Sequence, residues 1–224
     1  MTTFALIPGA GGDGWYWHLV AAELHARAHE AIPVDLPAGD DRAGWSEYAD
    51  AAANAIGGRQ GTTLVAQSLA GFTAPLVAER LPVVGIVLLN AMIPKPGETG
   101  MEWWTATRQG VAQRTYLREI GLDPSAADDD SVVYFHDVSA SVKDETYGRG
   151  EPAQSMTPMD QPWPLDAWPD VPTRVLAGRH DRLLPASFQR RIARERLGLQ
   201  TEELDGGHLV ALSRPHELVD ALLR

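Results

Sequence analysis

The sequence predicts an α/β fold, in which a mostly parallel central sheet carries helices on both faces and receives an inserted helical cap. Short apolar segments alternate with amphipathic ones over residues 1–92 and again over 172–224. Over residues 1–92 the short segments are almost wholly apolar, as is typical of parallel strands buried on both faces. Residues 93–171 interrupt this alternation. We therefore expect one α/β core formed by 1–92 and 172–224, with 93–171 inserted as a cap or lid.

The first part of the core is predicted to contain four strands, each followed by a polar or glycine-containing turn. The expected strands are 2–7, 31–34, 62–65 and 83–89, and the expected helices are 15–27, 46–56 and a third that begins directly after Ser68. Pro75 falls inside that third helix and is expected to kink it. In the second part, strands are expected at 173–177 and 200–204, with helices at 186–197 and from Pro215 onward.

The inserted segment is predicted to contain a helix over residues 101–120 and holds four of the seven tryptophans. Long insertions in α/β domains usually have a function. We therefore expect aromatic residues of this segment to line a ligand pocket. The candidate pocket residues are Trp103, Trp104, Tyr134, His136 and Trp163.

Composition restricts the classes of function. The chain has 30 Asp+Glu against 19 Lys+Arg, a net charge of −11, which disfavours nucleic acid and anionic membranes as partners. It contains no cysteine, so a disulfide, a thiolate metal site and a cysteine nucleophile are excluded. The N-terminal residues show no signal-peptide pattern, and no apolar run is long enough to span a membrane. We expect a cytoplasmic protein.

The segment around Ser68 has the pattern of a sharp strand-to-helix turn. An apolar strand precedes Ser68, a helical apolar stripe follows it, and small residues flank it at Ala66, Ala70 and Gly71. Such a turn presents a serine at the N-terminus of a helix, where the free N–H groups and the helix dipole face any negative charge formed at that serine. The pattern also fits a serine that only caps a helix.

Four polar residues follow predicted strands: Asp35, Ser68, Asp181 and His208. Ligands of open parallel sheets bind outside the carboxyl ends of the strands, so these side chains are expected near one another. A serine needs an imidazole to take its proton, and the imidazole needs a carboxylate to fix its tautomer. We therefore predict Ser68 as nucleophile, His208 as general base and Asp181 as its orienting acid.

Taken together, these motifs resemble the α/β-hydrolase superfamily, and within it the compact branch of esterases that includes plant methylesterases and hydroxynitrile lyases. The resemblance is carried by segments 6–17 and 35–37, the Ser68 turn, Gly178-Arg179-His180-Asp181 and Gly206-Gly207-His208. It implies an oxyanion hole formed by the backbone N–H groups of Ala10 and Leu69, and it implies no metal or organic cofactor. Two such donors are usually the largest single catalytic contribution.

The sequence departs from the family pattern in three places. Pro8 stands where many members have histidine, Ala66 and Ala70 replace the two glycines of the serine turn, and Leu209 stands where cyanohydrin-cleaving relatives have lysine. The last difference disfavours hydroxynitrile lyase activity. The resemblance therefore implies a serine hydrolase that cleaves a carboxylic ester, or a lactone or thioester, of a small-to-medium apolar substrate through an acyl-enzyme.

Two alternatives remain open at this point. A non-hydrolytic lyase, cyclase or ligand-binding protein of the same fold would keep the same three residues. A dinucleotide-binding oxidoreductase is suggested by the G-x-G-x-x-G pattern over residues 9–14, with Asp35 about 20 residues later. The aromatic residues 15–17 would crowd a pyrophosphate there, and that interpretation leaves Ser68, Asp181 and His208 unexplained.

Overall fold

A computed structural model describes residues 1–224 and contains one six-stranded, entirely parallel sheet. The strands are β1 (Thr3–Ile7), β2 (Glu30–Pro33), β3 (Thr62–Gln67), β4 (Val83–Leu89), β5 (Thr173–Gly178) and β6 (Thr201–Leu204), in the order β2-β1-β3-β4-β5-β6. The order reverses between β1 and β3. A crevice for ligands is expected at this point, outside the carboxyl ends of these strands.

Helices cover both faces of the sheet. They are α1 (His18–Ala26), α2 (Trp45–Ile56), α3 (Ala70–Ala78), α4 (Gly100–Thr107), α5 (Gln109–Glu119), α6 (Asp130–Val133), α7 (Ala140–Gly148), α8 (Thr157–Asp160), α9 (Ala186–Leu197), α10 (Val210–Ser213) and α11 (Pro215–Leu222). Residues of α2, α3 and α9 form a core on one face. Residues of α1, α10 and α11 form the core on the other. No helix combines the length and the apolar composition needed to cross a bilayer.

Two predicted helices differ from the structure at their boundaries. The helix expected over 101–120 is two helices, α4 and α5, because Arg108 takes a left-handed conformation (φ 57°) that ends the first. The helix expected from residue 15 begins with a 3₁₀ turn at Gly14–Trp17, in which the Asp13 carboxylate accepts a hydrogen bond from Trp15 N. The predicted strand at 83–89, the helix at 186–197 and the helix start at Pro215 are confirmed.

The segment between β4 and β5 contains α4 to α8 and no strand of the sheet. Its ends are held firmly to the body. Near its start, Glu98 forms a buried ion pair with Arg196 of α9, and Arg196 also donates to the carbonyl of Ile93. Near its end, the indole N–H of Trp163 donates to the carbonyl of Phe72 in α3.

Candidate active site

Ser68 lies at the turn between β3 and α3 in a strained conformation. Its φ is 53°, a left-handed value that non-glycine residues rarely adopt and that costs about 1–3 kcal/mol. The turn is fixed against the next strand, since Ser68 N donates to Leu89 O and Ser68 O accepts from Met92 N. Gly71 permits this approach because a Cβ there would lie 1.8 Å from Met92 O. The fold therefore holds the serine at the end of β3.

The structure brings His208 and Asp181 together. His208 Nδ1 lies 2.8 Å from Asp181 Oδ2, and both side chains are almost completely buried. The other oxygen of Asp181 accepts hydrogen bonds from Leu183 N and Leu184 N, each at 2.8 Å. These backbone donors orient the carboxylate, which in turn orients the imidazole.

Asn90 and Gln189 complete this arrangement and were not identified from the sequence. The amide of Asn90 donates to the carbonyls of Gly207 and His208 and accepts from Gly178 N. It therefore joins β5 to the loop of residues 205–209 that carries His208, which we call the histidine loop. Gln189 donates to Asn90 and to Asp181. The position of Asn90, directly after the apolar strand β4, was the available signal: a polar residue at a strand end.

A cavity of about 360 Å³ opens at this edge of the sheet, and both Ser68 and His208 line it. Its walls include residues 8–11 after β1, Trp15, Leu209 and Leu212 from the body, and Tyr134, Phe135, Thr146 and 149–152 from the inserted segment. The Tyr134 ring stands edge-on to the His208 ring, with centroids 5.5 Å apart. Burial, with smaller contributions from Asp130 and Asp181, raises the pKa of Tyr134 to about 12, so its phenol stays neutral near pH 7.

The imidazole of His208 forms a hydrogen bond with a glutamine side chain and none with Ser68. His208 Nε2 lies 3.1 Å from Nε2 of the buried Gln67 side chain. Ser68 Oγ makes no hydrogen bond with His208 or with any other protein group. Catalytic hydrogen bonds are often long in ligand-free enzymes and tighten on substrate binding, so this geometry does not exclude Ser68 as a nucleophile.

The backbone N–H groups of Ala10 and Leu69, the two predicted oxyanion donors, have no partner in the protein. Ala10 also lines the cavity that Ser68 faces. The neighbouring Gly11 N is occupied, since it donates to Gln154 Oε1 at 2.9 Å. The first loop thus offers an available donor at Ala10 beside the serine.

The structure corrects the expectation that Trp103, Trp104 and Trp163 line the pocket. Trp103 and Trp163 are completely buried in the core formed with α2 and α3, where the Trp103 indole donates to Ile93 O. Trp104 packs edge-on against Trp103. Their rings fix the inserted segment to the body instead of contacting the cavity. Of the five candidate pocket residues, only Tyr134 lines it.

His136 also lies elsewhere, in a second, polar cavity of about 260 Å³ with Asp137, His180 and Arg182. The backbone of the histidine loop separates the two cavities: Gly207 N donates to Asp137 Oδ2, and a Cβ on Gly207 would lie 2.7 Å from His136 Nε2. Burial, assisted by the positive charge of Arg182 and opposed by Asp137, lowers the pKa of His136.

Asp35, the remaining polar residue at a strand end, has a structural contact. Its carboxylate accepts a hydrogen bond from Gly14 N at 2.8 Å and so joins the end of β2 to the glycine-rich loop. Gly12 in that loop packs against Leu36 and Ala38. The glycines here serve close packing of the chain on itself.

Comparison with known proteins agrees with this architecture. A model described as the alpha/beta hydrolase family matches residues 4–221. No curated protein is significantly similar in sequence. Among solved structures, a pyrethroid hydrolase from Sphingobium faniae JZ-2 is similar, with a TM-score of 0.73, 22% identity, and coverage of 99% of this chain and 96% of that chain.

Two further solved structures each cover 100% of this chain and 98% of their own at 18% identity. Polyneuridine aldehyde esterase has a TM-score of 0.77. The methylesterase MES16 from Arabidopsis has a TM-score of 0.75. At this level of identity, the similarity extends to the fold.

Proposed function

The chain belongs to the alpha/beta hydrolase family, and from this premise we propose that it is a serine hydrolase that cleaves carboxylic esters. One observation carries the proposal. His208, which is buried and paired with Asp181, lines the same cavity as a serine held in a left-handed conformation at a strand-to-helix turn. These are the parts of an activated serine nucleophile.

In the proposed reaction, Ser68 Oγ attacks the acyl carbon while His208 Nε2 accepts its proton, and Asp181 stabilises the resulting imidazolium. The N–H groups of Leu69 and Ala10 bind the tetrahedral oxyanion. His208 then protonates the leaving alcohol and the acyl-enzyme forms. A water molecule, deprotonated by His208, attacks the acyl-enzyme and releases the acid.

The cavity favours a small-to-medium apolar ester. Its volume of about 360 Å³ is at the lower end of the range usual for small-molecule sites. Aromatic and aliphatic side chains, among them Trp15, Tyr134, Phe135, Leu209 and Leu212, form much of its wall. We also propose that residues 93–171 act as the cap, because Tyr134, Phe135, Thr146 and 149–152 of this segment line the cavity together with Ser68. Solved structures with this fold are named as a pyrethroid hydrolase, a polyneuridine aldehyde esterase and a methylesterase, which supports an ester substrate.

A test is the hydrolysis of p-nitrophenyl acetate, butyrate and benzoate by the wild type and by Ser68→Ala. The proposal expects turnover by the wild type and none above background by Ser68→Ala, with similar melting temperatures because alanine fits the turn. Equal turnover by both proteins would refute the role of Ser68.

A non-hydrolytic protein of the same fold is the second candidate. It is favoured by one observation, the contact of His208 with Gln67 instead of Ser68. An idle triad of this kind would give no turnover of any ester in the panel by the wild type, while an apolar ligand would still raise its melting temperature.

A further inference from the structure

The contact between Gln67 and His208 is well defined by its surroundings. Gln67 is the last residue of β3 and precedes Ser68 directly. Its side chain is 4% exposed, and its amide nitrogen lies 3.1 Å from His208 Nε2. The two residues are 141 positions apart in the chain, so the contact is a product of the fold.

The hydrogen bonds around Asp181 determine which atom donates in this contact. Leu183 N, Leu184 N and the Gln189 amide all donate to the Asp181 carboxylate, which therefore acts as an acceptor only. His208 Nδ1 must then carry the proton that faces Asp181. In the neutral ring, Nε2 is left with a lone pair, and the Gln67 N–H donates into it.

That lone pair is the one that a nucleophilic serine needs. An imidazole nitrogen has a single lone pair in the plane of the ring, so it accepts one strong hydrogen bond at a time. While the Gln67 amide occupies it, Ser68 cannot transfer its proton to His208. This agrees with the absence of a hydrogen bond on Ser68 Oγ.

The position of Gln67 also places it in the path of a substrate. Gln67 lines the cavity, and a Cβ on Gly9 would lie 2.5 Å from Gln67 Oε1, so the amide is next to the loop that carries the free Ala10 N–H. An acyl group that reaches this loop meets Gln67 as well. The adjoining cavity gives the amide space to rotate away.

We propose that Gln67 is a positioning residue that donates a hydrogen bond to His208 Nε2 in the resting protein. Substrate binding displaces the Gln67 amide, so that Ser68 Oγ can then donate to the imidazole. The inference rests on the proposed function of Ser68 and His208. The Gln67 hydrogen bond favours the imidazole tautomer that the reaction requires. It also slows the attack of Ser68, because the bond has to break before His208 can accept the serine proton.

The test measures how fast a small alkyl fluorophosphonate modifies Ser68, by intact-mass time courses at subsaturating reagent. Gln67→Met keeps a side chain of similar length without a hydrogen-bond donor. In this variant no hydrogen bond to His208 has to break before Ser68 reacts. The rate constant for labelling of Gln67→Met is therefore expected to exceed that of the wild type about two- to tenfold, the equivalent of one net hydrogen bond.

Gln113→Met is the matched control. Gln113 is another buried glutamine, in α5, whose amide donates to Ala127 O and lies outside the cavity. Its loss is expected to leave the labelling rate unchanged. Gln67→Leu replaces Gln67→Met if the latter does not fold.

The nitrogen resonance of His208 Nε2 provides a readout that does not depend on activity. Loss of the Gln67 N–H is expected to move the chemical shift of His208 Nε2 toward that of an imidazole nitrogen that accepts no hydrogen bond. The spectra are recorded at a pH where the ring is neutral, and His208→Gln is used to assign the resonance. A faster rate together with a moved resonance supports the inference. Equal or slower labelling of a folded Gln67→Met protein overturns it and leaves the hydrolase proposal standing, whereas no labelling of either protein contradicts both.

Discussion

The two sides of the Ser68 cavity are built differently. On the sheet side, His208 and Asp181 are buried, and they are held by the side chain of Asn90 after β4, by backbone N–H groups after β5 and by Gln189 of α9. On the side of the inserted segment, Tyr134 and Phe135 are half-buried and residues 149–152 are exposed. This division separates the groups that we propose do the chemistry, which require accurate placement, from those that we propose select the substrate.

The inserted segment itself divides in the same way. Its tryptophans Trp103 and Trp163 belong to the core, and each indole N–H donates to a backbone carbonyl. The part that faces the cavity is held by surface contacts: Arg149 pairs with Asp13, lies over the Trp15 ring, and precedes Gln154, which accepts from Gly11. Substitutions on the two sides should therefore differ in kind as well as in size.

The largest effect is expected at the general base. His208→Gln keeps a hydrogen-bonding side chain but removes the group that accepts the serine proton, so kcat should fall by about 10⁶-fold. The measurement is p-nitrophenyl ester hydrolysis alongside a thermal melt. Turnover close to that of the wild type would mean that another residue acts as the base.

Asp181→Asn is expected to lower kcat by about 10⁴-fold, because an amide can donate to Nδ1 and so favour the wrong imidazole tautomer. Asp205→Asn is a matched control, since Asp205 is an exposed carboxylate that bonds to a different histidine, His180. The control should retain full activity. Similar losses in the two variants would argue against a specific role for Asp181.

Two aromatic substitutions in the inserted segment, one in its core-packed part and one in its cavity-lining part, distinguish core packing from substrate contact. Trp163→Ala should lower the free energy of unfolding by about 3–5 kcal/mol, because it empties a buried site. Tyr134→Ala should unfold at nearly the same denaturant concentration as the wild type but lose about tenfold in kcat/KM for the benzoate ester. The reverse pattern would contradict the assignment of Trp163 to the core and of Tyr134 to the wall of the cavity.

Arg149→Ala should change stability by less than about 1 kcal/mol, because the ion pair with Asp13 is largely exposed. If this pair holds the wall of the cavity in place, the KM of the wild type should rise with added salt, and that of Arg149→Ala should be higher and insensitive to salt. Arg42→Ala removes an exposed pair with Asp40, outside the cavity, and should leave KM unchanged. A salt response that persists in Arg149→Ala would assign it to other charges.

The smallest effect is expected at His136, behind the histidine loop. Its pKa is lowered by burial in the folded protein, so the unfolded chain binds a proton there more readily. This contribution destabilises the fold as the pH falls through about 6.5, the usual histidine value, and is absent above it. His136→Asn should therefore lose less stability than the wild type between neutral and mildly acidic pH in urea titrations. If the free energy of unfolding of His136→Asn and of the wild type changed in parallel with pH, this prediction would be wrong.

Much of the fold could be predicted because strands that are buried on both faces of a parallel sheet often have continuous apolar sequences. Residues 83–89 have such a sequence, and the ends of the strands then place Ser68, Asp181 and His208 at one edge of the sheet. The break at Arg108 could not be predicted in this way, since both helices share an unbroken helical pattern. A left-handed arginine gives no signal in residue spacing.

The three tryptophan candidates lie outside the cavity for a different reason. A tryptophan in an insertion can face either the core or a cavity, and its type and spacing are the same in both cases. Trp163 faces the core because its indole reaches Phe72 O, a contact between residues far apart in the chain. Gln67 was overlooked for the same reason, because its importance lies in a partner 141 residues away.

The most direct test of the central proposal is intact-mass analysis after reaction with a fluorophosphonate, on the wild type and on Ser68→Ala, with peptide mapping of the product. We expect one adduct on the wild type, located on the peptide that contains Ser68, and none on Ser68→Ala. An adduct that persists in Ser68→Ala would contradict it, as would a wild type that hydrolyses esters without being labelled at Ser68.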